Sequence, residues 1–297
     1  MDINDEPIYD AVKSLVNKEV VAGLLSSSQW EDLPRDVRAR AFFSATVDNV
    51  RYLAAMREKL LERIRLEKSD TRSTMDRAKF VKEMQELAEQ LGLRPVDEKR
   101  GTLRDVGSER RLRLIWDTQI QMAAGYAQWK MAQDELFLAT RPAWELIRVE
   151  SRNKERDWTS RWMEAGGTMP EGRMVALIND PIWVAISRFG NPYPPFDYNS
   201  GMGIQVVRRR EAVRLGLLSD GSAQSMAPEA VVPAADPGFS EDLTTGLATL
   251  GEEQAKVVEA SLGGSMVKRE TAAGSVWKWL GQATKSFRKY ILRPFQR

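Results

Sequence analysis

Two side chains that do much of the chemistry in proteins are missing from this chain: it has neither cysteine nor histidine. Without cysteine there is no disulfide framework and no thiolate metal site, and the redox compartment stays open. Without histidine there is no imidazole ligand, and no Ser-His-Asp or Cys-His nucleophile pair. Oxygen-ligand binding of Mg²⁺ or Ca²⁺, and acid/base work by paired carboxylates, remain chemically available. Charge of one sign is also scarce. The formal net charge is only +2 over 297 residues, so any attraction to nucleic acid must come from local clusters.

No stretch reaches the roughly 18 apolar residues that a membrane-spanning helix needs. The first ten residues, MDINDEPIYD, are acidic, so no secretory signal is expected. Alternating Val/Ile/Thr runs bounded by turns are few, which disfavours a large sheet. What is present is a hydrophobic fraction of 42% and a charged fraction of 29%, enough for a core beneath a solvated surface.

Helical periodicity dominates the first half. The spacing predicts a helix over 7–25, opened by Pro7, with Gly23 and the Ser26-Ser27-Ser28 run interrupting it. A second is expected from Pro34 to about Glu67, with Phe43, Val47, Val50, Ala54, Leu61 and Ile64 apolar. A third covers about Asp76 to Leu91, stopped by Gly92 and Pro95. After a charged loop, Val96 to Gly107, Ser108 reads as the cap of a long helix from Glu109 to Ala139. Pro142 restarts the chain, and a helix from Ala143 to Trp162 is expected.

The texture changes after Gly166. Residues 166–204 are rich in Gly, Pro and aromatics, with a short helix near Pro181 to Phe189. A helix from Val206 to Leu215 follows. Residues 219–240 read as a flexible linker and Glu241 to Leu262 as weakly helical. The expected organisation is an N-terminal helical region (1–95), a central domain (96–218), a linker with the weak helix (219–272) and a tail (273–297), mainly α throughout.

The segment PYPPFDYNSG has its own logic. Its prolines fix φ and push Asn191 and Tyr193 out of the helical region, and Asn199-Ser200-Gly201 permits a turn. Tyr193, Phe196, Tyr198 and Trp183 can fill a small core without regular elements. A rigid packed loop is the plainer reading; a partner-binding surface is the sharper one.

Glu150 and Asp157 stand seven residues apart, on one face if this stretch is helical. Arg148, Arg152, Lys154, Arg156 and Arg161 are interleaved with the acids, so i,i+4 salt bridging explains the pattern better than catalysis. Arg208-Arg209-Arg210, with Arg214 one turn on, could meet DNA phosphate or an acidic neighbour, or simply line a solvated face. In the tail no acid follows Glu270. Lys278, Lys285, Arg288, Lys289, Arg293 and Arg297 are basic, Val276, Leu280, Ala283, Phe287 and Ile291 recur at helical spacing, and Trp277 and Trp279 add aromatics. A basic amphipathic helix of this kind fits a partner groove, packaged nucleic acid or a membrane surface, in that order of preference here.

The helix from Arg110 to Ala139, the element Asp180-Pro181-Ile182-Trp183 and the turn Pro192-Tyr193-Pro194-Pro195-Phe196-Asp197 together resemble the core of the Mu F-like minor head proteins, the head-morphogenesis family of tailed phages. The resemblance covers a third to half of the chain. Many relatives place a His before the Trp element and a Cys-Arg-Cys after the Pro-Pro turn. Here Asp197-Tyr198-Asn199-Ser200-Gly201 stands in that place, so a metal site is not carried over. The resemblance implies a structural, non-enzymatic virion protein at the capsid interior or portal vertex, present in the host cytoplasm during assembly. Its partners would be the portal or major capsid protein, it would need no cofactor, and it would aid head assembly and DNA packaging or ejection. The alternative expectation is an internal DNA-binding virion protein acting through its C-terminal helix. A third is a cell-wall hydrolase using Glu150 and Asp157.

Overall fold

The structure, a computed structural model, describes residues 18–33, 41–65, 76–219 and the strands at 265–271 and 274–280, with Leu15 and Arg38 besides. The described residues fall into two compact units. One holds 18–54 together with 265–280; the other holds 55–219. The result is a mixture of helices with a small antiparallel sheet, not the mainly α fold expected.

In the first unit, β1 (Glu19–Val20) pairs in parallel with β2 (Ala41–Phe42), and a short helix, α1 (Ser27–Glu31), lies between them in sequence. The Ser run that reads as an interruption is a start signal. Ser26 accepts from the Gln29 N–H at 3.2 Å and the Gln29 carboxamide accepts from the Ser26 N–H at 2.9 Å, a capping box. Of the helix expected over 7–25, Leu15 is helical and residues 18–25 are not. The helix expected from Pro34 is not continuous: Arg38 is helical, Ala41–Phe42 is β2, and α2 (Val50–Arg65), which runs on into the second unit, starts later. Ser44, Thr46 and Asn49 explain the delay: Thr46 sits at φ 59°, and the Asn49 side chain accepts from the Tyr52 N–H at 2.9 Å.

The second unit continues with α3 (Arg77–Gln90), which ends at Gly92 as the sequence predicts and is capped by Asp76. Between it and the next helix, the charged loop folds around a buried carboxylate. Asp105 accepts from Arg94 Nη2 at 2.7 Å, Gly101 N at 2.8 Å and Gly107 N at 2.9 Å. Burial alone would raise its pKa, but these hydrogen bonds prevail and hold the carboxyl below the usual range.

Ser108 caps α4 (Glu109–Met131). The helix stops short of Ala139 because the Asp134 carboxylate accepts from the Phe137 N–H and opens a separate helix, α5 (Glu135–Thr140). Met131, the last residue of α4, is exposed. Residues 143–162 depart most from expectation. Ala143–Arg148 is a strand, β3, and the helix α6 (Trp158–Glu164) begins only after Asp157 caps it. β3 is the central strand, antiparallel to both β4 (Val175–Leu177) and β5 (Met202–Val207), with a short helix α7 (Ile182–Ala185) in the connection between those two. The helix expected from Val206 shrinks to α8 (Arg209–Arg214), since its first residues belong to β5.

The sheet is buried on both faces. Trp144 and Leu146 join a large aromatic core, and Ala143 joins Val175, Val207, Ala212 and Leu215 in a smaller one. In the tail, β6 (Ser265–Thr271) pairs with β7 (Gly274–Leu280), with Met266 opposite Trp279 and Lys268 opposite Trp277. The amphipathic helix expected there is thus a strand through Leu280. Residues 281–297, the linker and the weak helix 241–262 lie outside the described residues.

Candidate functional site

The segments that carry the family resemblance meet in the large core of the second unit. Trp183 has no exposure and packs edge-on to Trp144 (5.8 Å) and Trp162 (5.4 Å), and stacks on Phe196 (5.7 Å). Its indole donates to the Leu177 carbonyl at 2.8 Å, and that of Trp162 donates to Thr168 at 2.8 Å. Tyr193 meets Tyr126 at 5.7 Å and Trp129 at 6.0 Å on α4. The helix and the Pro-rich turn come so close that a Cβ on Gly125 would lie 1.9 Å from the Pro194 carbonyl oxygen. Only glycine fits that crossing.

Outside this knot lies a cluster that sequence spacing does not reveal. Asp197 is buried. Three guanidinium groups converge on it: Arg161 at 2.9 Å, Arg156 at 3.4 Å and Arg188 at 3.7 Å. Arg156 also donates to the Tyr198 carbonyl at 2.8 Å, and Arg152 to that of Asn199 at 3.1 Å. Gly201, at φ 68°, lets the turn press against Glu150, whose carbonyl oxygen a Cβ would approach to 2.2 Å. The arginines between 148 and 161 therefore do not form a salt-bridged helix face. They clamp a turn up to 47 residues away in sequence.

Comparison with family models, curated proteins and solved structures gives no match.

The predicted site residues divide by exposure. Trp183, Tyr193 and Phe196 are buried and shape the loop's surface from beneath. Tyr198 is half-exposed, edge-on to Phe189 at 4.7 Å with Arg188 over its ring at 5.5 Å. Arg208 and Arg210 are exposed, and Arg209 donates to the Ala139 carbonyl at 3.4 Å. Trp277 and Trp279 stand in β7; Lys285, Arg288, Lys289 and Arg293 lie outside the described residues. Glu150 and Asp157 share no helix face. Glu150 pairs with Arg152, and Asp157 caps α6, its carboxyl held below the usual range by hydrogen bonds from Ser160. A general acid needs the opposite shift.

Sequence reasoning missed Asp197, Arg156, Arg161 and Arg188 as a unit, and Gly125 as a close crossing. The one available signal for Gly125 was its solitary occurrence in an otherwise glycine-free helix. Replacing Asp197 with Ala should cost about 2–4 kcal/mol, at or below the range for removing one partner from a buried ion pair, because its arginines are partly solvated. Asp197→Asn, which keeps the shape and loses the charge, should cost less. Urea unfolding of the two variants against the parent measures both.

Proposed function

We propose that this chain is a structural minor head protein of a tailed phage, associating with the portal or major capsid protein and acting without catalysis. One observation carries the reading. The three segments that resemble the Mu F-like core are packed on one another: α4 against the PYPP turn through Gly125 and Tyr126, and Trp183 of the DPIW element against Phe196 of that turn. A Pro-rich segment without ladder hydrogen bonds keeps a single shape only when side chains hold it from inside. Here Tyr126, Trp129 and Trp183 hold Tyr193 and Phe196 of the segment, while the Asp197 clamp secures its outgoing end. A rigid surface built this way suits a protein that works by docking, since little freedom is lost on association.

A pull-down of virion proteins by the full chain tests this. Portal or major capsid protein should be retained at stoichiometric levels through washes at moderate salt. Particles that assemble and package normally without this polypeptide, or a purified chain that turns over substrate, would count against it. The second reading, an internal DNA-binding protein, draws on the absence of acids after Glu270. It requires DNA affinity that disappears on deleting residues 274–297.

A further inference from the structure

Most arginines of the second unit are paired, though Arg104 and Arg110 are exposed without a carboxylate among the described residues. Arg94, Arg148, Arg152, Arg156, Arg161, Arg173, Arg188 and Arg214 each reach a carboxylate. One edge gathers several unpaired arginines from two segments. The β3–β5 register sets Ala143 opposite Val207, so Arg141, two residues before the one, and Arg208, Arg209 and Arg210, just after the other, come to the same end of the sheet. The hydrogen bond from Arg209 to Ala139 ties the two segments together. Arg141, Arg208 and Arg210 are exposed, and among the described residues none of them has a carboxylate partner. Arg141 lies over the Phe137 ring at 5.4 Å. Glu211, the acid of this stretch, is already engaged by Arg173 and Arg214.

We propose that this edge binds the phosphate backbone of double-stranded DNA. Three exposed guanidinium groups without a carboxylate, Arg141, Arg208 and Arg210, come from two chain segments to one end of the sheet in a chain whose net charge is only +2. Guanidinium is the side chain best matched to phosphate, with paired donors in a fixed fork. The composition of the edge selects among polyanions. Within 139–143 and 207–214 no large apolar side chain is exposed, and Leu136 on α5 is a lone exposed one near Arg141 in sequence, whereas a protein partner normally needs a cluster of apolar or aromatic anchors at the centre of its interface. Phe137 at this edge is half-buried and covered by Arg141, which leaves no open ring on which the bases of a single strand could stack. What remains is sequence-independent binding to the duplex backbone, driven by counterion release. The proposal does not rest on the virion reading, and it differs from the tail hypothesis because the residues belong to the folded unit.

The test measures affinity of the full chain for a 30-base-pair duplex of arbitrary sequence, on the order of the span a domain can cover, across a salt series. The variant R141Q/R208Q/R210Q should bind at least about tenfold more weakly near 0.1 M salt, and the slope of log affinity against log salt should fall by about 2–3, near 0.9 for each phosphate no longer neutralised. The charge-matched variant K99Q/R100Q/R113Q removes three cations that are paired with Asp97, Glu89 and Glu109, and should change binding less than about twofold. The single variants R208Q and R210Q, each an exposed position, should each lower the slope by about 0.9. An unchanged slope in the R141Q/R208Q/R210Q variant, or equal losses in the two triple variants, overturns the proposal. So does binding that disappears on deleting 274–297 yet is indifferent to the edge arginines. Retention of the same variants by portal or capsid protein reports on the virion reading separately.

Discussion

Trp183→Ala should lower the stability of the sheet-bearing unit by about 3–5 kcal/mol, the usual cost of truncating a fully buried large aromatic. The indole fills the space among Trp144, Trp162 and Phe196 and satisfies the Leu177 carbonyl. Alanine would leave a cavity that three rings cannot close without leaving their rotamers. Thermal unfolding should fall by roughly 2–4 °C per kcal/mol for a unit of this size. The distinction that matters is with a residue that touches a partner. If Trp183 met a partner directly, its replacement would weaken docking at unchanged stability; here the loss of docking should follow the loss of fold, and conditions that restore the fold should restore docking. Trp183→Phe, which keeps an aromatic ring but drops the donor, should recover most of the stability. A Trp183→Ala protein with the parental melting temperature would remove the aromatic knot from any explanation of this surface.

Gly125→Ala is expected to act through a different mechanism and be nearly as severe. In an exposed helix interior this change gains up to about 1 kcal/mol from propensity. At position 125 the added carbon would lie 1.9 Å from the Pro194 oxygen and 3.0 Å from its carbonyl carbon. Both are backbone atoms, so nothing flexible can move aside. Either the helix or the Pro-rich turn must shift, at a net cost of about 2–3 kcal/mol within the overpacking range. The same substitution at Gly101, where nothing lies within 4 Å of the Cβ, loses on backbone conformation at φ 76° and not on packing. Gly125→Ala should therefore disturb the environment of Tyr193 and Tyr126, visible in near-ultraviolet circular dichroism, while Gly101→Ala should not.

The two substitutions mark how far reading the sequence can go. Ser108 and Asp76 announce their helices because a cap is a local event: a side-chain oxygen accepts from an N–H three residues on. The Pro-rich turn is legible for a similar reason, since proline restricts φ wherever it stands. The strand at Ala143–Arg148 is not legible. AWELIR has ordinary helix formers, and nothing within six residues demands extension; it is a strand because β4 and β5 flank it and both its faces are buried. Propensity differences of tenths of a kcal/mol per residue yield to two ladders of hydrogen bonds and a buried Trp144. The error propagates. Once the segment is read as helix, Glu150 and Asp157 fall on one face and Arg148 to Arg161 become i,i+4 partners, relations that vanish when the chain is extended.

Composition alone determined which chemistries are closed to this protein, because thiols and imidazoles cannot be supplied by folding. Local sequence also marked the start of α4 at Ser108 and the stop of α3 at Gly92. The pairing of β3 with two distant strands, the convergence of Arg156, Arg161 and Arg188 on Asp197, and the gathering of Arg141 with Arg208–Arg210 at one sheet edge were decided only in three dimensions. The physical reason is common to all three. Each joins residues far apart in the chain, and its free energy comes from burial and charge that exist only once the intervening segments have packed.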